Sequence, residues 1–185
     1  MNEKLISGFY GKLPCKGDFI SRGLAKDFVL PWDAWLQQGF ACSHEQLGED
    51  WEDLYLVSPI WHFLLGAGLC GKSSYLGLMM PSIDKVGRYF PLTVAINLPF
   101  QISENSLTDA AIVNWFAQAD NLALSTLEEP FDFAQFVLDI AKLKLDNFKA
   151  AEFKGRYSIW WNEENKRILY NGLPPKNKFY VFISS

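Results

Sequence analysis

The segment Gly66-Ala67-Gly68-Leu69-Cys70-Gly71-Lys72-Ser73 carries the spacing GxxxxGK[ST]. In that pattern backbone amides, a lysine and a hydroxyl cradle phosphate groups and their magnesium ion. Rough residue frequencies put a chance match at well under about one chain in a hundred, so context has to decide. A phosphate cradle needs a strand before it and a helix after it, because the helix N-terminus aims its amides at the phosphates. Residues 60–65 read as the strand. The following Ser74-Tyr75-Leu76-Gly77-Leu78-Met79-Met80-Pro81 has an internal Gly and then a Pro stop, and it reads as a second strand. The glycine-rich segment is then a hairpin loop. Phe136-Val137-Leu138-Asp139 ends in an acid, as a second metal-binding element would, but its period is helical. A nucleotide-binding switch using Lys72 and Ser73 stands as the alternative function.

Nucleophilic chemistry has little to work with. The two His are His44, in a polar helix end, and His62, between Trp61 and Phe63, where a satisfied structural role is expected. A Cys15–His62 pair is conceivable, though no sequence feature joins them. Cys15, Cys42 and Cys70 form no CxxC pair and no Cys/His metal spacing, which fits free thiols in a reducing compartment. No catalytic residue, metal or cofactor is expected. Two acid–base pairs stand out instead: Asp18 with Arg22, and Asp84 with Arg88, each four residues apart in a Gly-containing segment. Arginine makes bidentate contacts with carboxylates, so the pairs are expected to brace two loops, to order a surface for a protein partner, or both.

These groups need a scaffold. The chain has 185 residues, 49% of them hydrophobic, 16% aromatic and 21% charged, which excludes a disordered chain and allows a substantial core. A net charge of -4 argues against nucleic acid or an anionic membrane as main partner. With seven Trp, some are expected at a binding surface. No signal peptide or membrane span is apparent, and a cytoplasmic location is expected. Residues 6–13 read as a strand running into a loop, 31–47 as a helix opening on Pro31, and 49–56 as a short helix. Strands are expected at 60–65, 75–80 and 92–98, helices at 108–127 and 131–145, and strands at 157–161, 167–170 and 179–183. The expected architecture is a single α/β domain over residues 1–185, a three-layer αβα-type sandwich with a mixed, largely antiparallel central sheet.

Several blocks, in order along nearly the whole chain, resemble the TagF (ImpM) family. They are Gly8-Phe9-Tyr10-Gly11-Lys12-Leu13-Pro14 with Gly17-Asp18-Phe19 and Arg22; Pro31-Trp32-Asp33-Ala34-Trp35-Leu36; Ser58-Pro59-Ile60-Trp61; Met80-Pro81-Ser82-Ile83-Asp84 with Val86-Gly87-Arg88-Tyr89-Phe90-Pro91; and Ser158-Ile159-Trp160-Trp161 with Gly172-Leu173-Pro174. The family's glycine-rich segment keeps Gly68 and Gly71 without requiring Lys-Ser. The chain departs from the common pattern at Leu65-Gly66-Ala67 and at His62. The resemblance implies an α/β sandwich and a non-enzymatic, post-translational repressor of bacterial type VI secretion. It also implies a partner, a cytoplasmic scaffold with a forkhead-associated domain, with no catalytic residues to carry over. Lys12, Asp18, Phe19, Arg22, Ser82, Asp84 and Arg88 are the expected partner-binding or loop-organising residues.

Overall fold

In the computed structural model, which describes residues 5–98, 104–145, 155–164 and 166–184, strand alternation builds two cores back to back. The elements are β1 (Ser7–Gly11), β2 (Ile20–Arg22), α1 (Lys26–Leu47), α2 (Trp51–Leu56), β3 (Trp61–Leu65), β4 (Ser74–Met80), β5 (Leu92–Leu98), α3 (Ala110–Ser125), α4 (Phe133–Lys142), β6 (Tyr157–Trp161) and β7 (Arg167–Asn171). In β4 and β5, Leu76, Leu78, Val94 and Ile96 face one core, and Tyr75, Met79 and Ala95 face the other. This is the period of two that a sheet covered on both faces requires.

The seven strands form one sheet in the order β2-β1-β5-β4-β3-β6-β7. The α/β sandwich is as the sequence led one to expect. Its sheet goes beyond largely antiparallel: among the described residues every pairing is antiparallel, since successive strands are joined as hairpins or return along the opposite direction. One layer holds α3 and α4, with Trp115, Phe116, Phe136 and Ile140 against the sheet. Asp109 and Asp132 cap these helices, accepting from Ala111 N–H at 2.8 Å and from Gln135 N–H at 3.0 Å. The other layer holds α1, α2 and a C-terminal 3-10 helix, Lys176–Phe182, around Trp32, Trp35, Trp61 and Trp160.

Three local expectations are corrected. Helix α1 opens at Lys26 and carries Pro31 inside it, because burying Phe28 on the face of Trp32 and Trp35 draws the first turn into the helix. Residues 179–183 are not a strand. Phe179 and Phe182, three apart, both point inward from the 3-10 helix, and Phe179 seats against α1 where Gly39 has no Cβ to overlap its ring. Finally, six of the seven tryptophans are core rather than surface, and Trp161 alone is partly exposed. Trp32, Trp35, Trp51, Trp61, Trp115 and Trp160 are all buried, and each indole N–H donates to an internal acceptor, such as Trp32 to Thr93 Oγ1 at 2.9 Å and Trp35 to the Pro174 carbonyl at 2.8 Å.

Candidate functional site

Two loops meet at the end of the sheet: residues 12–19 after β1, and residues 81–91 between β4 and β5. Asp84 joins them. Its side chain is closed to solvent, and both oxygens are taken. Oδ1 accepts from the backbone N–H of Val86 at 3.0 Å and of Arg88 at 2.9 Å. Oδ2 meets Lys12 Nζ at 3.0 Å and Arg88 Nε at 2.7 Å. Burial pushes the Asp84 carboxyl up, but the amides, Lys12 and Arg88 outweigh it and hold it well below the usual carboxylate range. A carboxylate filled in this way is a clamp, not a proton acceptor.

The clamp is reinforced from the backbone. Asp84 N–H donates to the Arg88 carbonyl at 3.0 Å, and Lys85 N–H donates across to Lys16 O at 2.8 Å. Arg88 Nη2 donates to Gly17 O and lies 3.7 Å from the exposed Asp18 carboxylate. Ser82 Oγ donates to Lys12 O at 2.9 Å. The buried Tyr55 hydroxyl accepts from Ser82 N–H at 2.8 Å and donates to Ser82 O at 3.0 Å. Above this frame sits Phe19, about half exposed. It stacks on Tyr10 at 5.9 Å, meets Phe90 edge-on at 4.7 Å, and lies 5.0 Å beneath the Lys12 ammonium.

So the structure gathers Lys12, Asp18, Phe19, Ser82, Asp84 and Arg88 into one cluster, and Asp84–Arg88 pair as their spacing allows. The Asp18–Arg22 brace does not form. Ile20–Arg22 is the short strand β2, and its extended backbone carries Arg22 away from Asp18; Arg22 instead donates to Ser21 O at 2.8 Å. Asp18 faces Arg88.

The TagF N-terminal domain family, described as Type VI secretion system-associated, matches residues 8–143 of this chain. The chain belongs to the TagF family. The whole clamp of this TagF chain lies within the matched residues. Among solved structures it is similar to PA0076 from Pseudomonas aeruginosa PAO1, with 38% sequence identity and a TM-score of 0.84 over 96% of this chain and 94% of that one. Comparison with curated proteins gives no match. The TagF chain is thus a type VI secretion-associated protein with an α/β fold that extends past the matched segment. The hairpin β6–β7 adds two strands to the same sheet through pairing of β3 with β6. Among the described residues, no helix is long and apolar enough to cross a membrane.

The glycine-rich segment of this TagF chain joins β3 directly to β4, with no helix behind it. Gly68 and Gly71 both take φ of 84°, and Gly68 N–H donates to Gly71 O at 2.9 Å, a tight reversal that glycine accommodates. Asp27 Oδ2 accepts from Lys72 N–H at 3.4 Å, so an acid stands beside an amide that a phosphate would need. Burial pushes the Cys70 thiol up to about 12, far from nucleophilic range. Asp139 sits on helix α4, not at a strand end, and pairs with Lys142 at 2.9 Å.

His62 faces α3, where Asp120 Oδ1 lies 2.8 Å from Nε2 and Phe116 stacks on the ring at 4.2 Å. Cys15 is exposed on the 12–19 loop. Asp120 and Tyr55 were missed by sequence reading. A usable signal existed only for Tyr55, since a phenol on the inner side of a helix needs a polar partner.

Proposed function

We propose that this TagF chain is a non-enzymatic, post-translational repressor of type VI secretion in the cytoplasm, working by docking on a scaffold that bears a forkhead-associated domain. Its mechanism is occlusion: a rigid surface holds the scaffold and lowers the amount free to support secretion. The observation that carries the reading is the saturated Asp84 clamp. Four donors fill one buried carboxylate, and the result is two loops held in fixed register beneath an exposed aromatic ring and an exposed guanidinium. Such a group positions a surface and has no lone pair left for proton transfer.

The cluster then divides by role. Lys12, Ser82 and Asp84 are buried and organise the loops; Phe19, Arg88 and Asp18 reach solvent and meet the partner, with Arg22 at the edge. Aromatic and arginine side chains on a preorganised frame are the usual anchors of interfaces burying about 1,200–2,000 Å² in total. The test is a pull-down of the scaffold by the folded full chain carrying Phe19→Ala or Arg88→Ala. Binding should fall about tenfold or more; undiminished binding would remove those residues from the interface. Deleting the gene should raise secretion. Abolished secretion would mean a structural part of the apparatus instead.

A further inference from the structure

The inner wall of the 81–91 loop borders a second surface. Ile83 and Pro81 line a groove of about 280 Å³ with Ile60, with Leu56 at the end of α2, with Leu124 in the last turn of α3 and with Leu127 just past it. Leu56 is 52% exposed and Leu127 57% exposed, and Val57 next to Leu56 is 79% exposed. Large apolar side chains left open side by side mark a contact surface more strongly than the same residues scattered singly.

The exposed charged residues that adjoin the groove's lining in sequence are mainly acidic, with Lys85, two residues past Ile83, a base among them. Glu52 and Asp53 are exposed on α2 just before Leu56, and Glu128 and Glu129 are exposed directly after Leu127. The C-terminal end of the 16-residue helix α3 adds the negative end of its dipole beside Leu124. An apolar floor among mainly acidic residues selects an apolar segment with positive charge on its flanks. It selects against a second copy of this chain, because a two-fold contact through this face would bring acidic residues of one copy against acidic residues of the other.

We infer that this groove is a docking site for a short apolar segment of a partner protein flanked by lysine or arginine. The inference rests on the docking function proposed above only in that the chain acts through a protein partner. The braced loop supplies one wall, so the Asp84 clamp that positions Phe19 also fixes Ile83 in the groove.

The experiment selects binders from a displayed library of random dodecamer peptides against the purified full chain and measures them by fluorescence anisotropy. Enriched peptides should combine apolar residues with Lys or Arg on both flanks. Their affinity should fall about tenfold or more with Leu127→Asp, and severalfold with Glu128→Lys plus Glu129→Lys. Leu127→Ser serves as a second, milder variant, and thermal melting confirms that each variant is folded. Peptides without basic bias, or equal binding to folded Leu127→Asp and Leu127→Ser, overturn the inference. So does a concentration-dependent dimer that Leu127→Asp dissolves, since the occupant would then be a second copy. The two readings fail separately. Scaffold binding lost with Arg88→Ala but intact with Leu127→Asp, in a chain that selects no basic peptide, removes the groove alone. Basic-peptide binding that persists in a chain whose deletion leaves secretion unchanged removes the repressor role alone.

Discussion

Lys12 sets its ammonium 3.0 Å from the Asp84 carboxylate, with both side chains closed to water, and so ties the loop after β1 to the loop after β4. Removing two charges from water is costly, and the pair persists because Arg88 and two backbone amides complete the carboxylate's coordination. Taking away Asp84 leaves the Lys12 ammonium buried without its counter-charge.

Asp84→Asn should therefore destabilise the protein near neutral pH, and the loss should depend on pH in a defined direction. The folded carboxyl titrates below its ordinary value of 3.8, so between those values the unfolded chain binds the extra proton. The stability contributed by Asp84 is complete above about pH 5 and is lost as pH falls through the unfolded value toward the folded one. Urea unfolding at several pH values checks this. The gap in midpoint between the wild type and Asp84→Asn should be widest near neutrality and narrow steadily in acid. A gap that is constant with pH would mean the carboxylate's charge does not matter to the clamp.

Thr93→Val tests the buried indoles. Thr93 lies on β5 facing α1, and its hydroxyl accepts from Trp32 Nε1 at 2.9 Å in a fully buried contact. Valine has the same shape and favours strands, so packing alone predicts no cost. The unpaired indole N–H decides the sign, with an expected loss of about 1–3 kcal/mol. Chemical denaturation of Thr93→Val, with Thr93→Ser as the variant that keeps the acceptor, measures it. A loss in the valine variant no greater than in the serine one would assign Thr93 to packing.

Gly39→Ala should also destabilise, against the helical trend. In an exposed helix interior alanine gains about 1 kcal/mol over glycine. Here the added Cβ overlaps the Phe179 ring, and overpacking of this kind costs about 1–3 kcal/mol. The melting temperature should drop by several degrees, and pairing the change with Phe179→Leu should recover part of it. Additive losses in the double variant would place the strain elsewhere.

Much of the fold is legible because it follows local periodicity. Leu76, Leu78, Val94 and Ile96 alternate as strands must, and Phe136 and Ile140 repeat as a helix does. The aromatic, β-branched run from Phe179 to Ile183 misleads, since its composition favours a strand. The spacing of Phe179 to Phe182, after Pro174-Pro175, held the better signal for a 3-10 turn. Strand β2 has three residues, too few to show alternation. At the site, Asp84–Arg88 is readable because both ends lie in one turn. Lys12–Asp84 and Arg88–Asp18 are not, because they depend on which loops the sheet order β1-β5-β4 brings together. Asp18 and Arg22 do not pair, because their spacing means contact only in a helix or tight turn and Arg22 lies on a strand.

The glycine-rich loop provides the last prediction, and it concerns a resemblance of spacing without a resemblance of structure. Lys72 is exposed at the tip of a β-hairpin, and its backbone N–H is turned toward the Asp27 carboxylate. No helix follows to present a row of free amides, and Asp27 adds negative charge where phosphate would bring more. Titration calorimetry with ATP or GTP and Mg²⁺ should therefore give no saturable heat. Lys72→Ala should leave stability within about 0.5 kcal/mol, as for other exposed positions without buried partners. Micromolar nucleotide binding lost in Lys72→Ala would reverse the assignment and make this hairpin the functional centre. Asp27→Asn separates the two terms of the argument. If charge alone kept phosphate out, weak binding should appear in that variant; because the amides also lack a helix to align them, none is expected.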